Sequence, residues 1–205
     1  MWRVWARGTL ATWRERLEME VLDAAMFGFR PGQGTRHVGQ LLGDLLVVCR
    51  RRRQGLWVAS FDLKKCYDMV PWWLVSGVMA QLGVPSRVGA VFGSYYAGLE
   101  RHFRYGQRSG APWTARNGLP QGCPAAPDLL NMIMAVFHAW VRRQGLGIEV
   151  AGCRLAALSY ADDVAVVASS LTQLQVLIGG FLEFCRLAGF EVGVPTMQVW
   201  SSQPG

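Results

Sequence analysis

The chain has 205 residues, 51% of them hydrophobic and 17% charged. That is enough apolar matter for one good-sized domain, or a domain with a small lobe, and it excludes a chain disordered by composition. The net charge of +7 favours a nucleic acid or an anionic surface as partner.

Of the 21 basic residues only Lys64 and Lys65 are lysines. Arginine's planar fork suits phosphate, although base composition of the gene would explain the bias equally well. The five cysteines are scattered, odd in number and form no Cys-x-x-Cys pair. They read as reduced, mostly buried thiols of an intracellular protein, nuclear or cytoplasmic, with no structural zinc. The N-terminus lacks the apolar run of a signal peptide. No stretch approaches the ~20 apolar residues of a membrane span, because Asp44, Arg142–Arg143 and Asp162–Asp163 interrupt the candidates.

In residues 1–25, Trp5, Leu10, Trp13, Leu17 and Val21 recur near the helical period, with Arg and Glu on the other face. Phe27-Gly-Phe-Arg-Pro-Gly-Gln-Gly-Thr35 is then a loop, with Thr35 as the expected N-cap of the next helix. That helix runs to Arg50-Arg51-Arg52-Arg53, a run that serves either as a solvated helix end or as a phosphate contact. Leu56 to Leu63 is strand-like and ends on Asp62. Cys66 to Leu82 reads as a helix with Pro71 in its first turns, and Ser86 to Leu99 as a second. Residues 100–117 read as a hairpin turning near Ser109-Gly110.

The loop Asn117-Gly-Leu-Pro-Gln-Gly-Cys-Pro124 feeds an apolar helix to about Arg143. A small hairpin turning at Gly152 follows, and then Leu158-Ser-Tyr-Ala-Asp-Asp-Val-Ala-Val-Val167, an apolar–acidic–apolar pattern expected to be a tight hairpin with its carboxylates at the tip. A helix from Leu171 to Ala188 precedes Phe190 to Trp200, a candidate edge strand given Pro195. The order suggests α+β: a small, mostly antiparallel sheet with helices on one face.

Adjacent carboxylates repel and call for a cation or water. If the strand ending in Asp62 lay beside the acidic hairpin, three carboxylates would meet, and hard oxygen ligands of this kind suit Mg²⁺. Two such ions can serve phosphoryl transfer. Taken singly, the same residues read as well as a helix cap at Asp62 and a polar turn at Asp162–Asp163.

Four segments, in order, resemble the reverse transcriptase family, most of all the enzymes of non-LTR retrotransposons. Phe27 to Thr35 resembles its fingers motif, Phe61-Asp-Leu-Lys-Lys-Cys-Tyr-Asp-Met-Val-Pro71 its motif A, Asn117 to Pro124 with Asn131 its motif B, and Tyr160-Ala-Asp-Asp163 its motif C. The resemblance implies a polymerase palm with partial helical fingers (1–55 fingers, 56–205 palm) and no thumb. It implies an RNA template, a DNA primer and dNTPs as partners, no obligate protein partner, and two Mg²⁺ ions, or Mn²⁺ in their place.

By the same resemblance Asp62, Asp162 and Asp163 would be the catalytic metal ligands, with the Leu63 carbonyl as a further one. Tyr67 would be the steric gate against a 2′-hydroxyl. Pro120, Gln121 and Gly122 would border the nucleotide, while Tyr160 would approach nucleic acid. Arg30 would support the fingers or meet template phosphate, and Cys66 would pack.

The chain departs from the family in motif D. Gly193 stands where relatives keep Asn, and Thr196 where they keep a Lys thought to protonate pyrophosphate. A slower enzyme is expected, since general acid help is typically worth ~10²–10⁴-fold. The upstream basic strand that grips the triphosphate is also missing from the sequence. A catalytically silent retroelement fragment that at most binds nucleic acid is therefore the alternative. An RNA-making palm polymerase is a third reading, opposed by Tyr67 and Ala161.

Overall fold

The computed structural model describes residues 1–193 and 197–202. Thr196 of motif D and Pro195 lie outside the described residues. Seven helices run over Trp2–Arg16 (α1), Thr35–Arg51 (α2), Cys66–Met69 (α3), Trp72–Gln81 (α4), Ser86–Ala97 (α5), Ala126–Gln144 (α6) and Leu171–Ala188 (α7) among the described residues. The strands are Trp57–Phe61 (β1), Glu100–Arg101 (β2), Arg104–Tyr105 (β3), Arg108–Ser109 (β4), Trp113–Thr114 (β5), Ile148–Val150 (β6), Cys153–Leu155 (β7), Ala157–Tyr160 (β8), Asp163–Ala168 (β9) and Gln198–Ser201 (β10).

One four-stranded antiparallel sheet, ordered β10-β1-β9-β8, forms the centre. Its alternating side chains divide between two cores. Ala59, Phe61, Val164 and Val166 face the larger one, built with α6 and α7 around Phe137 and Phe181. Val58, Leu158, Ala165 and Val167 face the other way, where α2 brings Leu45 and Cys49. The helical layer expected on one face is thus the thicker one, and α2 adds partial cover over the opposite face. β10 lies at the sheet edge and runs over Gln198–Ser201, where an edge strand was expected over Phe190 to Trp200.

Several boundaries differ from the sequence expectation, each for a local reason. The first helix is regular only to Arg16 and continues as a π-helical turn, Leu17–Val21. The helix expected over Cys66 to Leu82 is two. Pro71 has no N–H to continue the ladder, so α3 ends at Met69 and α4 starts with Pro71 as its cap. Gly34, not Thr35, caps α2, and the Gly34 N–H donates to His37 Nδ1 at 2.9 Å. The ribbon at 100–116 turns at Gly106–Gln107 rather than Ser109–Gly110, because Arg104 pairs with Ser109 and Tyr105 with Arg108. Of the arginine run closing α2, Arg52 donates to the Glu149 carbonyl at 2.5 Å. All five cysteines are free, four buried and Cys153 exposed. Among the described residues no helix is long and apolar enough to cross a membrane.

Candidate active site

β1 and β9 are antiparallel neighbours, with Phe61 opposite Val164. The same register carried one residue further sets Asp62 across from Asp163. β8 and β9 close through the two-residue turn Ala161-Asp162, in which Ala161 takes a φ of +58°. A positive φ at the first turn position matches the twist of a hairpin and is uncommon for a residue with a Cβ. The sheet therefore gathers the ends of two strands and one turn, and all three acids sit at that end.

Their electrostatics register the crowding. The Asp162 carboxyl is pushed above its ordinary value, chiefly by burial; a backbone hydrogen bond works against that, and the charge of Asp62 adds to it. Asp163 is raised by burial, then by Asp162 and Asp62. The two hairpin acids diverge. Asp163 and Asp62 line a cavity of about 410 Å³ beneath the start of α2, together with Tyr160, Thr35 and Val38. Asp162 leans toward α3, where its charge and, more strongly, burial push up the Tyr67 hydroxyl and the Cys66 thiol. Among the described residues no three His, Cys, Asp or Glu side chains are drawn close enough to hold a metal as they stand. The donor set itself, three hard carboxylates in mutual repulsion, is of the chemistry a divalent cation requires.

The segment after Asp62 is braced from the other side. Gly193 N–H donates to the Asp62 carbonyl and Lys64 N–H to the Glu191 carbonyl, both at 2.9 Å, flanking an antiparallel bridge between Leu63 and Val192. Bonds on both sides of a bridged pair mean that the pair's own carbonyls point away from each other. The Leu63 carbonyl is therefore directed away from Val192, while its side chain is buried. Lys64 Nζ closes the brace on Glu191 at 2.7 Å.

A second cavity, about 380 Å³, is lined by Tyr67, Phe29, Gln121, Gly122, Pro124 and the arginines Arg3 and Arg7. Tyr67 is half-buried, edge-to-face with Phe29 at 6.5 Å. Its carbonyl accepts from Leu119 N–H at 2.7 Å, and Val70's from Gly118 N–H at 2.8 Å. Gly118 needs to be glycine here. Its φ is +105° and an added Cβ would stand 3.0 Å from the Asp68 carbonyl oxygen. Pro120 is half-buried beside these contacts, while Gln121 and Gly122 are exposed at the cavity rim.

The loop before α2 is clamped onto the acidic turn. Phe27 N–H bonds the Ser159 carbonyl at 2.8 Å, and Ser159 N–H bonds the Ala25 carbonyl at 3.0 Å. The buried Asn131 amide donates to the Gly28 carbonyl at 2.8 Å. Arg30 points inward. It pairs with Glu18 at 2.7 Å and donates to the Asp23 and Met26 carbonyls at 2.8 and 2.7 Å. Of the two roles expected of it, loop support is the one these bonds serve. Cys66 is buried and packs, as expected.

Arg3 and Arg7 escaped the sequence reading. On an amphipathic helix, arginines four apart look like a solvent face. α1 lies across the start of α6, pinned by Arg14 to Asp128 at 3.0 Å, and this places Arg3 and Arg7 on the cavity wall. The i, i+4 repeat continuing toward Arg14 was the available signal.

The comparisons with known proteins agree with this architecture. The family model described as reverse transcriptase (RNA-dependent DNA polymerase) matches residues 9–200. The chain is 28% identical over 137 residues to a transposon TX1 protein of Xenopus laevis, covering 66% of this chain and 10% of that one. It is 22% identical over 170 residues to the retrovirus-related Pol polyprotein from the type-2 retrotransposable element R2DM of Drosophila melanogaster, covering 83% of this chain and 16% of that one. It thus spans a small part of these relatives' length. Among solved structures, a telomerase from Candida tropicalis in complex with a telomeric RNA fragment superposes with a TM-score of 0.72 at 10% identity, over 97% of this chain and 33% of that one. At that identity the likeness speaks for the palm-and-fingers fold alone. The chain belongs to the reverse transcriptase (RNA-dependent DNA polymerase) family, with relatives among the proteins of non-LTR retrotransposons.

Proposed function

We propose that the chain is the polymerase module of a retrotransposon protein, transferring a nucleotide from a dNTP to the 3′-hydroxyl of a DNA primer on an RNA template. In this reading Asp62 and Asp162, assisted by Asp163 and the Leu63 carbonyl, hold two divalent cations, Mg²⁺ or Mn²⁺. When bound, such ions lower the pKa of the attacking hydroxyl and neutralise the charge on the phosphates. The bond from the primer oxygen to the α-phosphorus forms as the bond to pyrophosphate breaks.

The chain's own residues divide the remaining work. Tyr67 walls the cavity toward the sugar and disfavours a 2′-hydroxyl. Gln121 and Gly122 border the base and sugar, with Pro120 setting the loop. Arg3 and Arg7, on the wall of the cavity at Tyr67, supply positive charge for the triphosphate. The cavity on the Asp163 side, with Tyr160 on its wall, is left for the primer end. Residues 1–55 serve as fingers and 56–205 as palm.

The observation that supports this reading is the pairing of β1 with β9, which brings Asp62 to the end of the sheet that carries the hairpin acids, with Asp62 and Asp163 on the wall of one cavity. Primer extension on an RNA template tests it, comparing wild type with Asp162→Asn. Metal-dependent extension lost in the variant is expected; equal extension by both would refute it. Tyr67→Ala should then narrow the preference for dNTP over NTP. One observation favours a silent, nucleic-acid-binding fragment instead: among the described residues no three acids, though neighbours, stand close enough to hold a metal as they are. That alternative requires salt-dependent binding with no incorporation by the wild type.

A further inference from the structure

Between α5 and the motif B loop the chain leaves the body as a narrow ribbon. Among the described residues β2 pairs only with β5, and β3 only with β4. The inner pair continues one step beyond the strands, since Gly110 N–H donates to the Phe103 carbonyl at 2.8 Å. Side chains alternate across such a ladder, and directly opposite residues share a face. Tyr105 stands opposite Arg108, and Phe103, two residues back, lies on that same face. Arg104 and Ser109 occupy the other.

The shared face is unusual for a folded chain. Phe103 is 78% exposed and Tyr105 85%. Gly110, opposite Phe103, carries no side chain to cover the ring. At the base of the ribbon Trp113 is half exposed, with the Arg101 guanidinium over its ring at 5.5 Å. Residues 100–116 hold four arginines and a histidine against the single acid Glu100. None of these arginines takes part in a salt bridge among the described residues.

We propose that this ribbon is a stacking platform for an unpaired nucleic-acid strand. Phe103, Tyr105 and Trp113 take the faces of bases, and Arg108 and Arg116 meet the phosphates. Exposed rings interleaved with guanidinium groups that carry no salt bridge among the described residues match a polymer that alternates π-faces with negative charge. A second copy of the chain would bring arginine against arginine. The return strand runs directly into Asn117–Cys123, so a strand held on the ribbon is led toward the cavity at Tyr67. This binding does not require the acids, and it stands or falls separately from polymerisation.

The test is fluorescence anisotropy of the full chain with an unstructured single-stranded RNA, and with the same sequence as a duplex. Phe103→Ala/Tyr105→Ala is expected to weaken single-strand binding by roughly thirtyfold or more, and duplex binding far less. Arg108→Gln/Arg116→Gln is expected to lower the slope of log affinity against log salt by about 1.4. All four side chains are exposed, so unchanged thermal melting serves as the control for folding. Asp162→Asn is expected to bind as wild type does. Wild-type chain that binds no single strand, double variants within twofold of wild type, or equal losses on single strand and duplex would each overturn the proposal. So would variants that changed only the sedimentation of the protein, which would mark the ribbon as a contact between copies. Loss of primer extension in Asp162→Asn with ribbon binding intact would separate the two sites.

Discussion

Replacing Gly28 by alanine adds one methyl group where the loop before α2 lies on the acidic turn. The new Cβ would stand 2.2 Å from the Ala161 nitrogen, 2.9 Å from its Cα and 3.1 Å from the Tyr160 carbonyl carbon. All three are backbone atoms, so no rotamer change makes room. Loop and turn must separate by about 1.2 Å to reach ordinary contact distance. Overpacking of this kind costs about 1–3 kcal/mol. The same shift stretches the bond from the Asn131 amide to the Gly28 carbonyl, now 2.8 Å. Asn131 is 3% exposed, and a buried donor left without its partner costs about 1–3 kcal/mol. One displacement causes both effects, so they overlap, and a net loss of about 2–4 kcal/mol is expected. Urea unfolding followed by tryptophan fluorescence would show a lower midpoint at unchanged slope. Gly8→Ala is the control. It lies within α1 with open space around it and should be neutral or stabilising by up to about 1 kcal/mol. A Gly28→Ala protein within about 0.5 kcal/mol of wild type would refute the close seating of loop on turn.

Arg30→Ala removes an ion pair and two carbonyl bonds from a side chain only 14% exposed, so a loss of about 2–4 kcal/mol in urea unfolding is expected. Arg30→Lys should recover less than half of it, because an ammonium cannot span the same fork. His138 is buried against Ser159 at 3.0 Å, and burial holds its pKa down to about 4. The unfolded chain then binds a proton that the native one refuses between about pH 6.5 and 4. Stability should therefore fall on acidification through that window by up to about 3 kcal/mol, and His138→Gln should flatten the fall. The raised pKa of Asp162 has the opposite sign. Ionisation costs the native state, so its contribution declines as pH rises above the ordinary carboxylate value. Thermal melts at neutral pH should show Mg²⁺ stabilising the wild type, and Asp162→Asn gaining stability without metal and losing the response to it. Identical responses to Mg²⁺ in both proteins would refute that assignment.

Period and punctuation made β1, the β8–β9 hairpin, α6 and α7 legible, because each is a strong apolar pattern bounded by glycine, proline or acid. The meeting of Asp62 with the hairpin acids was not legible locally. A hundred residues separate them, and nothing in either segment states that β1 inserts between β9 and β10; the motif resemblance supplied that link. Apolar periodicity ran unbroken past Pro71, so the break between α3 and α4 was hidden behind a good helical pattern. In the ribbon two glycines competed for the turn, and the cross-strand pairs selected Gly106. Arg3 and Arg7 acquire meaning only through the Arg14–Asp128 anchor, which is a tertiary fact.

Three neighbouring carboxylates oppose folding, so the elements that carry them must be held by something stronger than their repulsion. β1 and β9 are the inner strands of the sheet, packed on one face by α6 and α7. The start of the motif A segment is tied, through the Asp62 carbonyl and the Lys64 N–H, to Gly193 and Glu191 by backbone bonds. The acidic turn itself is held by the loop before α2, through close contact at Gly28 and the backbone bonds of Phe27 and Ala25 to Ser159. The groups that would meet substrate are built differently. Gln121, Gly122 and the ring-bearing ribbon are exposed and lightly supported. Substitutions in the first set should therefore be read mainly as losses of stability, and those in the second mainly as losses of affinity. Where a change at the acids alters catalysis without lowering stability, its effect lies in the ligand set and not in the frame that holds it.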